Sequence, residues 1–169
     1  HLHEETLSLI NKDIPIIVPN FRNDSVGKYI EPLGFKKIIR LEFLKEYKFK
    51  NTDLILSLLK SGDFREDSGI YLSVNNFTIL IDVDSNEINF GRLPSVDLYC
   101  SSFAGGASGY PLMFDNFDLN QKKEIIEKKI AFLKQKKFKN LLAIKPKYFL
   151  PYASFFSEKL KRDDEILLN

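Results

Sequence analysis

The chain has 169 residues, 44% of them hydrophobic, with 25 Lys and Arg against 23 Asp and Glu for a formal net charge of +2. That is enough apolar material for the core of one domain, 1–169, and too little net charge to argue for a nucleic-acid partner. No apolar run is long enough to cross a membrane, and Cys100, the single cysteine, excludes an internal disulfide and fits a reducing, cytoplasmic setting. In chain order, Thr6 to Asn11 is a short amphipathic stretch that predicts a helical turn or two. Ile14 to Val18 is a continuous β-branched run, expected as a buried strand that Pro19-Asn20 ends. Asp24 or Ser25 is placed to cap a helix carrying Val26, Tyr29, Ile30 and Leu33 at helical spacing, closed by Gly34. Lys36 to Phe43, Tyr47 to Phe49 and Leu54 to Leu59 read as strands, although the composition of the last also suits a helical turn.

Gly62 to Gly69 is a polar loop. Ile70 to Val74 and Phe77 to Val83 then predict a hairpin, because Asn75-Asn76 tolerates left-handed backbone geometry. Asp84 follows the second strand and opens a polar, turn-like stretch to Asn89. Val96 to Cys100 predicts a strand feeding the loop Ser101 to Pro111, which holds three of the eight glycines. Asp118, with Gln121 three residues on, predicts a capping box and a helix to about Lys137 with Ile126, Ile130 and Leu133 inward, flanked by Ile125 and Phe132. Tyr148 to Leu150 predicts a strand and Phe155 to Lys161 a last short element. Strands dominate early and one long helix comes late, the order of an α/β domain.

Several residues suggest chemistry. A carboxylate placed like Asp84, directly after a buried apolar strand, is costly unless it is paired, hydrogen-bonded or metal-bound; the plainer reading is a turn-capping loop residue. His1 and His3 are the only two histidines, and neutral imidazole is a common metal ligand; the plainer reading is a frayed terminus. Gly105 and Gly106 permit close approach of a ligand to the backbone, with hydroxyls nearby from Ser102, Ser108 and Tyr110. The lysines from Lys122 to Lys139 would attract a phosphorylated ligand, but on an amphipathic helix they read first as a solvated face. Cys100 reads as a small buried residue.

Asp82-Val83-Asp84, Gly91-Arg92-Leu93-Pro94 and the run from Asp97 to Pro111 together resemble one family, the metallo-β-lactamase-like domain of CMP-N-acetylneuraminate hydroxylase and its bacterial relatives, a branch that includes L-ascorbate-6-phosphate lactonase. Pro146 to Phe156 is similar to a proline-aromatic-alanine segment of that family. His1 to Leu7 with Asp13-Ile14-Pro15-Ile16 resembles the segment that begins at the last histidine of its H-x-H-x-D-H motif, and 22–68 matches poorly. The resemblance implies a metallo-β-lactamase-like αββα sandwich, N-terminally incomplete, in which Asp84 and His1 hold a divalent metal, zinc or manganese. In that register His3 is incidental; read alone, His1-Leu2-His3-Glu4-Glu5 imitates H-x-H-x-D. The family's histidine in the loop before the hairpin is missing, so that either Asp63 or Asp67 substitutes as an oxygen ligand, favouring a harder ion, or the site is degenerate. Tight metal binding by these residues alone is not expected.

The implied function is a metal-dependent hydrolase with metal-activated water as nucleophile, or a sialic-acid-hydroxylase-like domain. Its substrate would be a small molecule, phosphorylated or a nucleotide sugar, touched by Ser102, Gly105, Gly106, Ser108 and Tyr110. An upstream segment or a Rieske-type partner domain would complete it, since one cysteine cannot hold an iron–sulfur cluster. The alternative is a non-catalytic scaffold or binding domain that kept the fold and lost the metal.

Overall fold

The computed structural model describes residues 2–82, 85, 88, 91, 93–102 and 110–152. His1, Val83, Asp84, most of the polar stretch to Asn89, Gly105, Gly106, Ser108 and the element expected at Phe155 to Lys161 lie outside the described residues. The chain forms two units, His1–Asn89 and Phe90–Asn169.

In the first unit, β1 (Ile16–Pro19) pairs in parallel with β2 (Ile38–Leu41), with Ile16 opposite Ile38 and Val18 opposite Arg40. A parallel pair needs a crossover connection. Here it carries α2 (Ser25–Ile30) and a 3-10 turn, Glu31–Leu33, closed by Gly34 at φ 85°. That positive φ is the conformation only glycine adopts cheaply. Val18, Ile30 and Phe35 form the core here, with Leu7, Ile10, Ile16, Val26, Leu33 and Ile38 packed against them. Leu7 comes from α1 (Glu4–Leu9), whose other apolar residue, Leu9, is exposed. Tyr29 departs from the expected stripe: it is exposed and its hydroxyl points to Glu4. Asp24 sits at the N-cap position of α2 but makes no capping bond: its backbone is left-handed at φ 49° rather than extended, and its carboxylate accepts from Arg40 on β2.

The same unit holds an antiparallel run: β3 (Tyr47–Lys48), β4 (Ile55–Lys60), β5 (Ser68–Val74) and β6 (Phe77–Ile81). β4 is a strand throughout, which settles the ambiguity of its Leu and Ile content through six paired residues with β5. Asn75 and Asn76 have φ 48° and 62° and join Val74 to its partner Phe77. Two consecutive positive φ values in a two-residue loop match the right-handed twist of the flanking strands.

In the second unit, β7 (Leu98–Ser102) and β8 (Tyr148–Tyr152) run parallel, joined by α3 (Leu119–Ile144). β7 lies two residues later than the apolar run suggests, with Tyr99, Cys100 and Ser101 all buried. Asp118 and Gln121 form the expected capping box. The helix continues past Lys137 to Ile144, since 138–144 contains neither Gly nor Pro. It ends where Lys145 turns left-handed at φ 50° before Pro146, a residue that disfavours helical geometry in its predecessor. The inward stripe is also rotated: Ile130 and Phe132 are exposed, while Lys137 is buried. Among the described residues no helix is long and apolar enough to cross a membrane.

Candidate functional site

β6 delivers the Asp82 end of the candidate site. Leu80 and Asp82 lie on one side of the extended chain and both are buried, Asp82 at 1% exposure. The backbone N–H of Ser85 donates to the Asp82 carbonyl at 2.9 Å, so the chain turns directly after the strand. A buried carboxylate at a strand end is costly unless satisfied, and its position marks Asp82 as a functional candidate beside Asp84. The sequence carried the signal in the Asp-x-Asp spacing, of which only the second member stood out.

His3 is the N-cap of α1: its Nδ1 accepts the backbone N–H of Thr6 at 3.3 Å and lies 2.9 Å from the Thr6 hydroxyl. A neutral imidazole that accepts at Nδ1 carries its proton on Nε2. While the cap persists, neither nitrogen has a lone pair to offer a metal.

Asp63 and Asp67 lie in the β4–β5 connection with Arg65 between them. Asp63 Oδ1 accepts from Ser61 Oγ and from the Arg65 backbone N–H, both at 3.1 Å. Asp63 Oδ2 accepts from Arg65 Nε at 3.0 Å and Nη2 at 2.7 Å. Arg65 Nη1 lies 3.3 Å from Asp67 Oδ2. Glu66 points elsewhere, accepting the N–H and hydroxyl of Ser25 at the start of α2. Those bonds hold the Glu66 carboxyl below its ordinary value.

In the second unit, Ser102 is half-buried at the end of β7. Tyr110 is exposed, with its ring edge-on to Phe114 at 5.3 Å and Phe117 at 6.0 Å. Ser101, on the opposite face of β7 from Ser102, is fully buried and accepts a hydrogen bond from Lys137 Nζ. Lys137 therefore leaves the solvated lysine face. At about 100° per residue it falls within about 20° of Ile126 and Ile144 and about 40° of Leu133, a helical-wheel signal the residue type conceals. Asp97 is tied to Lys147 at 2.6 Å, which raises the Lys147 ammonium above its usual value, and the Asp97 carbonyl accepts the Tyr148 N–H where β8 begins.

Among the described residues no three His, Cys, Asp or Glu side chains are grouped so as to hold a metal ion. The described donors do not fit a metal centre: His3 is committed to its cap and Asp63 and Asp67 to Arg65. Asp84 and His1 lie outside the described residues.

No family model matches this sequence. It is 31% identical over 175 residues to a cytidine monophosphate-N-acetylneuraminic acid hydroxylase from Danio rerio, covering 94% of this chain and 28% of that protein. It is 30% identical over 174 residues to the protein of the same name from Asterias rubens, covering 98% of this chain and 26% of that one. The chain thus spans little more than a quarter of the length of these relatives. Among solved structures it matches CmlA, a diiron β-hydroxylase from Streptomyces venezuelae, with a TM-score of 0.54 and 18% identity over 82% of this chain and 30% of that one. The fold class is a mixed α/β one, shared with the matched part of CmlA. In sequence the chain is similar to CMP-N-acetylneuraminic acid hydroxylases along nearly its whole length, the family that the residues from Asp82 to Pro111 resemble.

Proposed function

We propose that this chain is the metallo-β-lactamase-like part of a hydroxylase-related, metal-dependent protein that binds a small anionic substrate of the nucleotide-sugar class, with CMP-N-acetylneuraminic acid as the first compound to test. The observation that carries this reading is the 31% identity over nearly the whole chain to a protein named for that substrate. Asp84 and His1 are the proposed metal-holding residues. Ser102 and Tyr110, with Gly105, Gly106 and Ser108, are the proposed substrate contacts.

The test is a thermal melt with and without manganese or zinc, and with and without CMP-N-acetylneuraminic acid, beside Asp84→Ala. A ligand that binds only the folded state at about 100 times its Kd stabilises by about 2.7 kcal/mol. The expected result is a metal-dependent rise in Tm that Asp84→Ala abolishes. A metal-insensitive melt rejects the metal-dependent reading, and a shift that survives Asp84→Ala moves the metal elsewhere.

A second reading, a scaffold or binding domain that kept the fold without the metal, draws support from the described donors: His3, Asp63 and Asp67 are all engaged by protein partners. Under it, substrate would still raise the Tm while metal would not.

A further inference from the structure

The β4–β5 loop alternates. Asp63, Arg65 and Asp67 interact with one another, Glu66 reaches Ser25, and Phe64 is 98% exposed. An ionised carboxylate has about four lone-pair positions. At Asp63 four protein donors fill them: Ser61 Oγ and Arg65 N on Oδ1, Arg65 Nε and Nη2 on Oδ2. The third guanidinium nitrogen of Arg65 spans to Asp67. A further bond, Ser61 N–H to the Asp67 carbonyl at 3.0 Å, closes the loop on itself.

Oxygen donors that would suit a hard divalent ion are therefore already gathered around a cation, and that cation belongs to the chain. We propose that Arg65 is the resident cation of this loop, standing between Asp63 and Asp67 in place of a metal ion. A metal would have to displace charge-assisted hydrogen bonds and then sit beside a guanidinium that does not lose its proton. The loop contributes a fixed electrostatic clamp, with no dependence on metal supply. This inference stands whether or not the protein binds metal through Asp84.

The experiment counts bound manganese by the electron paramagnetic resonance signal of the free ion, using the protein, Asp63→Asn, Asp67→Asn and Arg65→Gln. Loss of a true ligand, or even of a residue supporting one, lowers metal affinity by about tenfold or more. Asp63→Asn and Asp67→Asn are expected to leave manganese affinity within about threefold of wild type. Arg65→Gln is expected to bind additional manganese, because it leaves the carboxylate pair without its cation. A drop of about tenfold or more in either Asn variant overturns the proposal, as does an Arg65→Gln protein whose manganese count is unchanged. Where an Asn variant does not fold, the Arg65→Gln count decides. Where wild type binds no manganese at all, the metal-dependent reading fails while the Arg65→Gln arm still reports on the clamp.

Discussion

The hairpin between β5 and β6 sets the register of the strand that leads to Asp82, so its turn is the place to perturb the fold without touching a candidate ligand. Asn76 has φ 62° and Asn75 φ 48°, with Val74 paired to Phe77 on either side. Left-handed geometry costs an ordinary L-residue about 1–2 kcal/mol, and a β-branched residue fits it worst. Asn76→Val should therefore destabilise by about 1–2 kcal/mol, which at about 2–4 °C per kcal/mol for a chain of this size lowers Tm by about 2–8 °C. Asn76→Gly relieves the same strain and should melt at or above wild type. Both are read from thermal melts followed by circular dichroism. The register itself should survive in Asn76→Val, because a one-residue slip would carry the fully buried Leu80 to the opposite face. The reasoning is refuted if Asn76→Val melts with or above wild type, or if Asn76→Gly melts below Asn76→Val.

Gly69→Ala would place a Cβ 2.7 Å from Ile88 Cδ1 and 3.2 Å from the Ile81 carbonyl oxygen; it should lose about 1–3 kcal/mol as an overpacking change, and an unchanged Tm would show that Ile88 yields freely. Asp24, held below its ordinary 3.8 mainly by the Arg40 hydrogen bond, and Glu66, held below 4.5 mainly by Ser25, contribute stability that is fully present above those values and is lost as pH falls through the lower folded values. Melts from neutral pH downward should thus lose these contributions only below about pH 4.5, and Glu66→Gln should flatten that acid limb; an identical acid limb would show that the Ser25 bonds do not hold in solution.

The fold was legible wherever one residue type has one cheap conformation. Gly34 at φ 85°, the Asn75-Asn76 turn and the Asp118–Gln121 box follow from backbone energetics that act within four residues. The legible core positions, Val18, Val26, Ile30 and Leu33, follow from apolar spacing alone. What escaped depends on contacts between distant parts of the chain. Asp24 pairs with Arg40, 16 residues on, and does not cap α2. Lys137 is drawn into the interior by Ser101, 36 residues earlier. Helix α3 outran its expected end because no breaking residue intervenes before Lys145-Pro146, while the polar composition of 134–140 made an earlier stop look natural.

The same distinction governs the candidate site. Residue type says which groups can ligate a metal; the neighbours decide which lone pairs remain. His3 is two residues from His1 and invites pairing with it, yet the Thr6 N–H takes the Nδ1 lone pair that a metal would need. Asp63 and Asp67 suit a hard ion by chemistry, yet the residue midway between them is an arginine, and the bent loop sets its guanidinium among their carboxylates. Each engagement removes one route by which the described part of the chain could gather three ligands. Under the proposed function, metal binding would then rest on Asp84 and His1 together with whatever further donors join them. Asp84→Ala is the direct test of that reading, because Asp63 and Asp67 are both engaged by Arg65 and are not placed to replace it.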